Sequence, residues 1–535
     1  MNTRNENTKM CSVSFLKYFL KIRWNIRRLY YCIIVLLYYN NTIYYNNIKH
    51  RMWIEEELQK DVVEIQRATQ SLVTEYNAKS SRTIRSRITE NKENTTGFLS
   101  HFYEALRNAE YQMYQQFAGI TLSSSIANNE SASTGSNLVY EFNEIKNSAN
   151  DLPHPRILSE LQREYERQIS PHSSTHDKDA GDTENNRYIP YKVYKYIREK
   201  SEYCIRFKAK IGARIVSLFF ITFPESHISM CSKNGSSSYL CAAEIANYQL
   251  YAYKVFIWIT MVGQLANQEC SEKLDVYFYM TPFKKERPRH SDDVLSAIHV
   301  NTGLTRNCET HGEIIVYRIE EWFKVFIHES MHNFNMDFID LDLREANQRL
   351  RQTFCIPHED ILLFESYTEA WARIINVMFD IYFRKEATAD SRAHFIRSVR
   401  EKLTKNAVFH VYQLVKVLDI MKLKYAEITS ENMDVCRKRY KEDTNVYAYY
   451  ILGGIISAYA LPFICWCCDN NQRRGSRGGI RAIRFSRSNE NISGFVDFIC
   501  RAARDPVLLN MISFIESSSS SSSRRMNTTM RMTQE

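Results

Sequence analysis

Glycine and proline are scarce in this 535-residue chain, at 15 and 10 residues. This excludes a collagen-like repeat, and 44% hydrophobic with 24% charged residues excludes a wholly disordered chain. Regular cysteine spacing is also lacking. The thirteen cysteines are odd in number and scattered, which argues against a zinc ribbon or a secreted disulfide framework and predicts mostly reduced, buried thiols. A central excess of positive charge is missing as well. The formal charge is +9, yet residues 1–51 hold nine Lys+Arg against one acid and residues 472–535 hold eleven against five. The ends therefore carry +8 and +6, leaving −5 for residues 52–471. No nucleic-acid partner is expected for that mildly acidic body.

The basic flank Lys9–Arg28 leads into the uncharged run Leu29–Tyr39, which ends in asparagines well before the about 20 apolar residues that a membrane span needs. Residues 1–51 thus read as a basic and apolar segment that is either poorly ordered or surface-lying, or else a membrane anchor or uncleaved signal. Apolar residues from Trp53 to Tyr76 recur three and four apart, and Gly97–Phe117 reads as a second helix, so residues 52–187 form a helical region. Two Ser/Asn-rich linkers interrupt it, 122–137 and 170–186, the latter carrying His172, His176 and Asp177 as solvated polar residues.

After Tyr188 the texture changes. Tyr203–Ala209 and Arg214–Phe223 are rich in β-branched and aromatic residues, Ala242–Ala266 reads as a long apolar helix, and Leu274–Met280 and Glu313–Arg318 read as further strands. That order predicts an α+β domain over residues 188–470. Phe395–Lys422 and Asn432–Tyr440 continue it as helices. Val446–Cys468 contains no charge and precedes Arg473, Arg474 and Arg477, so it has the length of a membrane span. Gly453-Gly454, Pro462 and its four tyrosines favour a buried helix instead. Residues 471–535 form a basic, Ser-rich region whose end, Glu516–Glu535, is expected to be disordered.

The chemistry-bearing motif is His328-Glu329-Ser330-Met331-His332, an H-E-x-x-H at the end of a stretch, Glu320–Phe334, that no proline or glycine interrupts. The i, i+4 spacing puts both imidazoles on one side of a helix, where they can share one Zn²⁺. Glu329 lies one residue round from the first histidine and projects beside the metal, placed to take a proton from water. A third ligand is needed. The pattern H-E-x-x-H-x-x-G-x-x-H would require glycine at 335 and a ligand at 338, where the chain has Asn335 and Phe338; Asp337 falls one residue out of phase. Further on, Glu365 and Glu369 stand at i, i+4 on a helix opened by Pro357 and Asp360, so one carboxylate can complete the site and the other can accept the second N–H of a ligand histidine. His358 is a rival third ligand.

These residues resemble the gluzincins, metallopeptidases in which H-E-x-x-H is followed by a second helix bearing N-E-G-[FI]-[AS]-[DE]; Phe364-Glu365-Ser366-Tyr367-Thr368-Glu369 is similar in spacing. The resemblance implies His328, His332 and Glu365 as zinc ligands, Glu329 as general base and Glu369 as the acid behind a ligand. Phe364 and Ser366 depart from the pattern, and the separation of His332 from Glu365 is longer than usual. The block from Val300 to Tyr450 is also similar to uncharacterised H-E-x-x-H proteins of large DNA viruses. The expectation is a zincin-like, zinc-dependent metallopeptidase acting on a peptide or protein, with Tyr447, Tyr449 or Tyr450 as oxyanion donor and Glu313–Arg318 as a strand to which an extended substrate adds. The alternative is a structural or membrane-associated protein, associating through 29–39 or 446–468, that keeps an inactive zincin fold. Glu329 distinguishes them, because a purely structural zinc site needs no carboxylate between its histidines.

Overall fold

The computed structural model of the protein describes residues 92–117, 138–146, 151–160, 163, 188–224, 242–290, 293–355, 361–384, 392–429, 434–472, 479–520 and 528–534. The run 29–39, the stripe from Trp53, both Ser/Asn-rich linkers, and Pro357, His358 and Asp360 lie outside these residues.

The described part begins with helix α1 (Lys92–Phe117), strand β1 (Leu138–Glu144) and helix α2 (Tyr191–Lys200). Strands β2 (Tyr203–Ile211) and β3 (Arg214–Thr222) follow as a hairpin that turns at Gly212, whose φ of +60° suits a residue without Cβ. Helix α3 (Ala242–Val262) carries the chain over to β4 (Lys273–Tyr279), and a single turn, α4 (Ala297–Val300), precedes β5 (Gly303–Thr305) and β6 (His311–Val316). Together these strands make one six-stranded mixed sheet in the order β1-β2-β3-β4-β6-β5. The central pairs β3/β4 and β4/β6 are parallel, and the outer pairs are antiparallel.

Alternation along the strands sorts their side chains onto two faces. Val216, Leu218, Phe220, Val276, Phe278, Ile314 and Val316 belong to the large core, while Ile221, Tyr277, Tyr279 and Ile315 pack with Val193 and Ile197 of α2 on the other side. The motif helix α5 (Trp322–Asn333) leaves β6 and lies against the large-core face, with the Phe326 ring 5.6 Å from that of Phe278. Beyond it come α6 (Arg344–Arg351), α7 (Leu363–Phe383), α8 (Arg392–Ile420), α9 (Tyr425–Ile428) and α10 (Asp434–Arg439). A π-helical stretch, Tyr447–Leu452, then runs into α11 (Gly453–Ala458) and α12 (Ala460–Asn470), followed by α13 (Asn489–Ala503) and α14 (Pro506–Ser520). The molecule is thus α+β, as its order of elements predicts.

Several expectations are corrected. The boundaries at 187/188 and 470/471 do not separate cores among the described residues: Phe98 of α1 packs 5.4 Å from Trp371 of α7, β1 is hydrogen-bonded to β2, and one apolar cluster runs from Phe98 to Met532. β1 is not legible in the sequence, because a single seven-residue edge strand has little pattern. The expected disordered end also differs. α14 continues to Ser520, and in residues 528–534 Met530 and Met532 are fully or nearly fully buried, apolar anchors that the adjacent serine run obscures. Most described cysteines are free and buried, but Cys270 and Cys308 form a disulfide. Finally, β6 lies between β4 and β5 and is paired on both sides, so no extended peptide can add to it.

Among the described residues no single helix is long and apolar enough to cross a membrane. The uncharged stretch Val446–Cys468 is bent by 89° between Ala458 and Ala460, and Ile451, Leu452, Ile455, Ile456, Phe463 and Ile464 along it are fully buried. Pro462 explains the break: without an N–H it cannot bond to the Ala458 carbonyl, and its ring crowds that carbonyl. Gly454 lies against Leu414 of α8, where a Cβ would make no more than ordinary contact with the Leu414 Cβ at 3.4 Å. Ile456→Ala should therefore lower unfolding stability by about 2–5 kcal/mol, read from urea melts of the full chain against the parent.

Candidate metal centre and its cleft

α5 is buried on every side from Phe323 to Asn333, which is unusual for a helix carrying a lysine, two histidines and a glutamate. Its ends are fixed by residues in the left-handed region, Glu321 at φ 57° before it and Asn335 at φ 52° after it. Along its length Trp258 Nε1 of α3 donates to Ser330 Oγ at 2.8 Å and Ser271 Oγ donates to Asn333 Oδ1 at 2.5 Å. The helix is held from both layers.

His328 and His332 point from α5 toward α7. Their Nε2 atoms lie 3.1 Å apart, and Glu365 Oε2 is 3.0 Å from the first and 3.2 Å from the second. These are the three residues whose ligand atoms converge on a common point among the described residues. Donors about 2.0–2.2 Å from a tetrahedral Zn²⁺ would stand roughly 3.3–3.5 Å from one another, so the observed triangle is within a few tenths of an ångström of that requirement.

The groups behind the histidines decide where their electron pairs point. Glu369 Oε2 sits 3.2 Å from His328 Nδ1, close enough for charge attraction although the angle is poor for a hydrogen bond. Asp337 Oδ2 is hydrogen-bonded to His332 Nδ1. Both carboxylates favour a proton on Nδ1 and aim the Nε2 lone pair at the shared point. Two lone pairs and a carboxylate oxygen converging in a buried pocket repel one another unless a cation lies among them, and this chemistry fits a divalent metal.

Electrostatics around the centre are balanced by buried cations. Lys324 Nζ donates to both Glu369 oxygens at 2.9 Å, and Arg373 Nε donates to Oε1 at 2.8 Å. Burial pushes the Glu369 carboxyl up, but Lys324 and Arg373 outweigh it and hold it well below the usual range. Glu365 is likewise lowered against the effect of burial by His332 and His328. Glu329 differs. Burial raises its pKa, and its neighbouring histidines only partly oppose that. It lines a cleft of about 570 Å³ together with His328, His332, Glu365, Gly303 and Tyr449. Glycine is required at 303, because a Cβ there would stand 2.9 Å from the Ile315 carbonyl oxygen and 3.0 Å from Glu329 Cγ.

Of the three tyrosines expected near the site, only Tyr449 lines the cleft, with its ring 5.8 Å from that of His328. Tyr447 packs its ring between Phe354 and Tyr440, and Tyr450 donates its hydroxyl to the Met530 carbonyl, so neither is an oxyanion donor. Tyr449 stands two positions from Tyr447 and one from Tyr450 on a helical stretch, so it faces a different side from both. Phe338 packs against Phe485 and Tyr367, while Asp337, out of phase as a ligand, orients His332 after the left-handed turn at Asn335. Arg373, four residues after Glu369, and Lys324, four before His328, were legible by helical spacing as partners of this cluster; Asp337 was not, because its role depends on the turn. No family model, curated protein or solved structure matches this chain.

The cleft wall holds a second titrating group. Partly buried Glu442 accepts hydrogen bonds from the Tyr440 hydroxyl at 2.7 Å and the Tyr447 N–H at 2.6 Å, and burial nonetheless raises its pKa to about 7. A carboxyl raised from 4.5 contributes stability that is present below about pH 4.5 and lost as pH rises through about 7. Glu442→Gln should be about 1–2 kcal/mol more stable than the parent at pH 8.5 and equal to it at pH 4.5. Urea melts of both proteins in EDTA check this.

Proposed function

We propose that this protein is a zinc-dependent metallopeptidase with a zincin-like domain. The observation that carries the proposal is the convergence of His328 Nε2, His332 Nε2 and Glu365 Oε2 within 3.2 Å of one another at the wall of a cleft that Glu329 also lines. Two further features support it. Among the described residues the ligand group has three members rather than four, the number expected where a position stays open for chemistry. The sheet also ends in β5, whose residues Gly303, Leu304 and Thr305 line the cleft, so its outer edge is available to an extended peptide.

Held by His328, His332 and Glu365, Zn²⁺ would supply Lewis acidity to the scissile carbonyl and to water. Glu329 accepts the proton of the attacking water and passes it to the leaving amine. Tyr449, kept protonated by burial, donates to the carbonyl oxygen as charge develops there. Glu369 and Asp337 hold the two imidazoles in the tautomer that presents Nε2, and Lys324 and Arg373 keep Glu369 ionised.

Glu329→Gln should retain stoichiometric zinc, measured by elemental analysis, and lose hydrolysis of a peptide library by about 10²-fold or more. His328→Ala should lose both. Asp337→Asn should weaken zinc binding by about 10–100-fold, read by competition with a chromophoric chelator. Undiminished cleavage by the Glu329→Gln protein would exclude this mechanism.

A further inference from the structure

Residues 528–534 thread into the interior, and seven of their backbone groups are met by a side chain or main-chain atom of the domain. Arg287 N–H donates to the Thr528 carbonyl at 2.8 Å, Lys416 Nζ donates to the Thr529 carbonyl at 2.7 Å, and Met530 N–H donates to the Lys285 carbonyl at 2.8 Å. The Tyr450 hydroxyl bonds the Met530 carbonyl and Gln413 Nε2 bonds that of Arg531. Glu321 Oε1 then accepts three donors, Met532 N–H at 2.9 Å and the Thr533 N–H and hydroxyl at 2.6 Å each. Met530 and Met532 fill apolar sockets, buried to 0% and 3% exposure. Capture of main-chain groups, with apolar side chains seated in sockets, is how a domain binds a peptide.

The groove adjoins the machinery at two points. Glu321 is the residue from which α5 starts, in a left-handed conformation that a non-glycine residue adopts at some cost in energy, and its other oxygen is paired with buried Lys285. Met532 lines the cleft and places its Sδ 3.6 Å from Lys324 Nζ, the lysine that holds Glu369 behind His328. We propose that residues 528–534 are a peptide ligand carried in cis, whose docking fixes the start of the motif helix and the Lys324–Glu369 pair, so that the metal centre is complete only when this segment is seated. Its effect on zinc rests on the metal-centre reading; the docking itself does not.

The test compares the full chain with a chain ended after Ser520, using a fluorescein-labelled synthetic peptide of residues 527–535. The peptide should bind the shortened chain saturably and the full chain, whose groove is filled, not at all. Zinc affinity, measured against a chromophoric chelator, should fall roughly tenfold or more on shortening, as when a group behind a ligand is lost. Unlabelled peptide should restore it, and a peptide carrying Met530→Asp and Met532→Asp should not. Unchanged zinc affinity in the shortened chain, or no peptide binding, would overturn the proposal. Should the shortened chain fail to fold, Met532→Ala in the full chain decides: faster hydrogen exchange in 528–534 with weaker zinc binding supports the proposal, and faster exchange with zinc binding unchanged refutes it. A full chain that binds no zinc removes the metallopeptidase reading, and peptide binding alone then decides the docking.

Discussion

Glu369 is fully buried, and three groups depend on where its two oxygens lie. Lys324 takes both, Arg373 takes one, and His328 Nδ1 faces the other. Arg373 passes the constraint outward to the Gly453 carbonyl, the Ser457 hydroxyl and the Tyr449 carbonyl, so the π-helical stretch and α11 are tied to the same carboxylate. Lys324 passes it along α5 toward Met532. Removing the charge of Glu369 would leave two buried cations uncompensated, a change on the order of several kcal/mol.

A buried ionic cluster of this kind is a poor source of net stability, because desolvating its members offsets most of their attraction. What it supplies is position. An apolar replacement could pack α5 against α7 equally well, but nothing apolar can hold an imidazole in one tautomer and one orientation. The same logic applies at the start of α5, where Glu321 is lowered to about 2, burial being outweighed by Lys285 and Lys324, and so remains an ionised acceptor for the chain's own end. Apolar packing from Phe98 to Met532 stabilises the domain, and the charged groups inside it decide where the histidines point.

The cleft lies where the sheet and the helical layer meet. Gly303 lets β5 approach Glu329, and the left-handed Asn335 lets the chain fold back so that Asp337 reaches His332. Both positions trade a side chain or an unstrained backbone for close approach at the site, a pattern expected where function overrides local preference.

Local periodicity was enough to read the central strands, the long helices α3, α5, α7 and α8, and the pairing of His328 with His332 and of Glu365 with Glu369, because residues three and four apart on a helix are neighbours whatever surrounds them. It also exposed the conflict in Val446–Cys468 between apolar length and Pro462. What required the tertiary structure was every relation across large separations: Glu365 meeting two histidines of another helix, Asp337 reaching His332, Tyr449 rather than Tyr447 or Tyr450 on the cleft, β1 as an edge strand, and the burial of Met530 and Met532 behind a serine run. Those contacts are fixed by how whole elements pack, and packing depends on shape and charge summed over many residues rather than on any spacing that one segment displays.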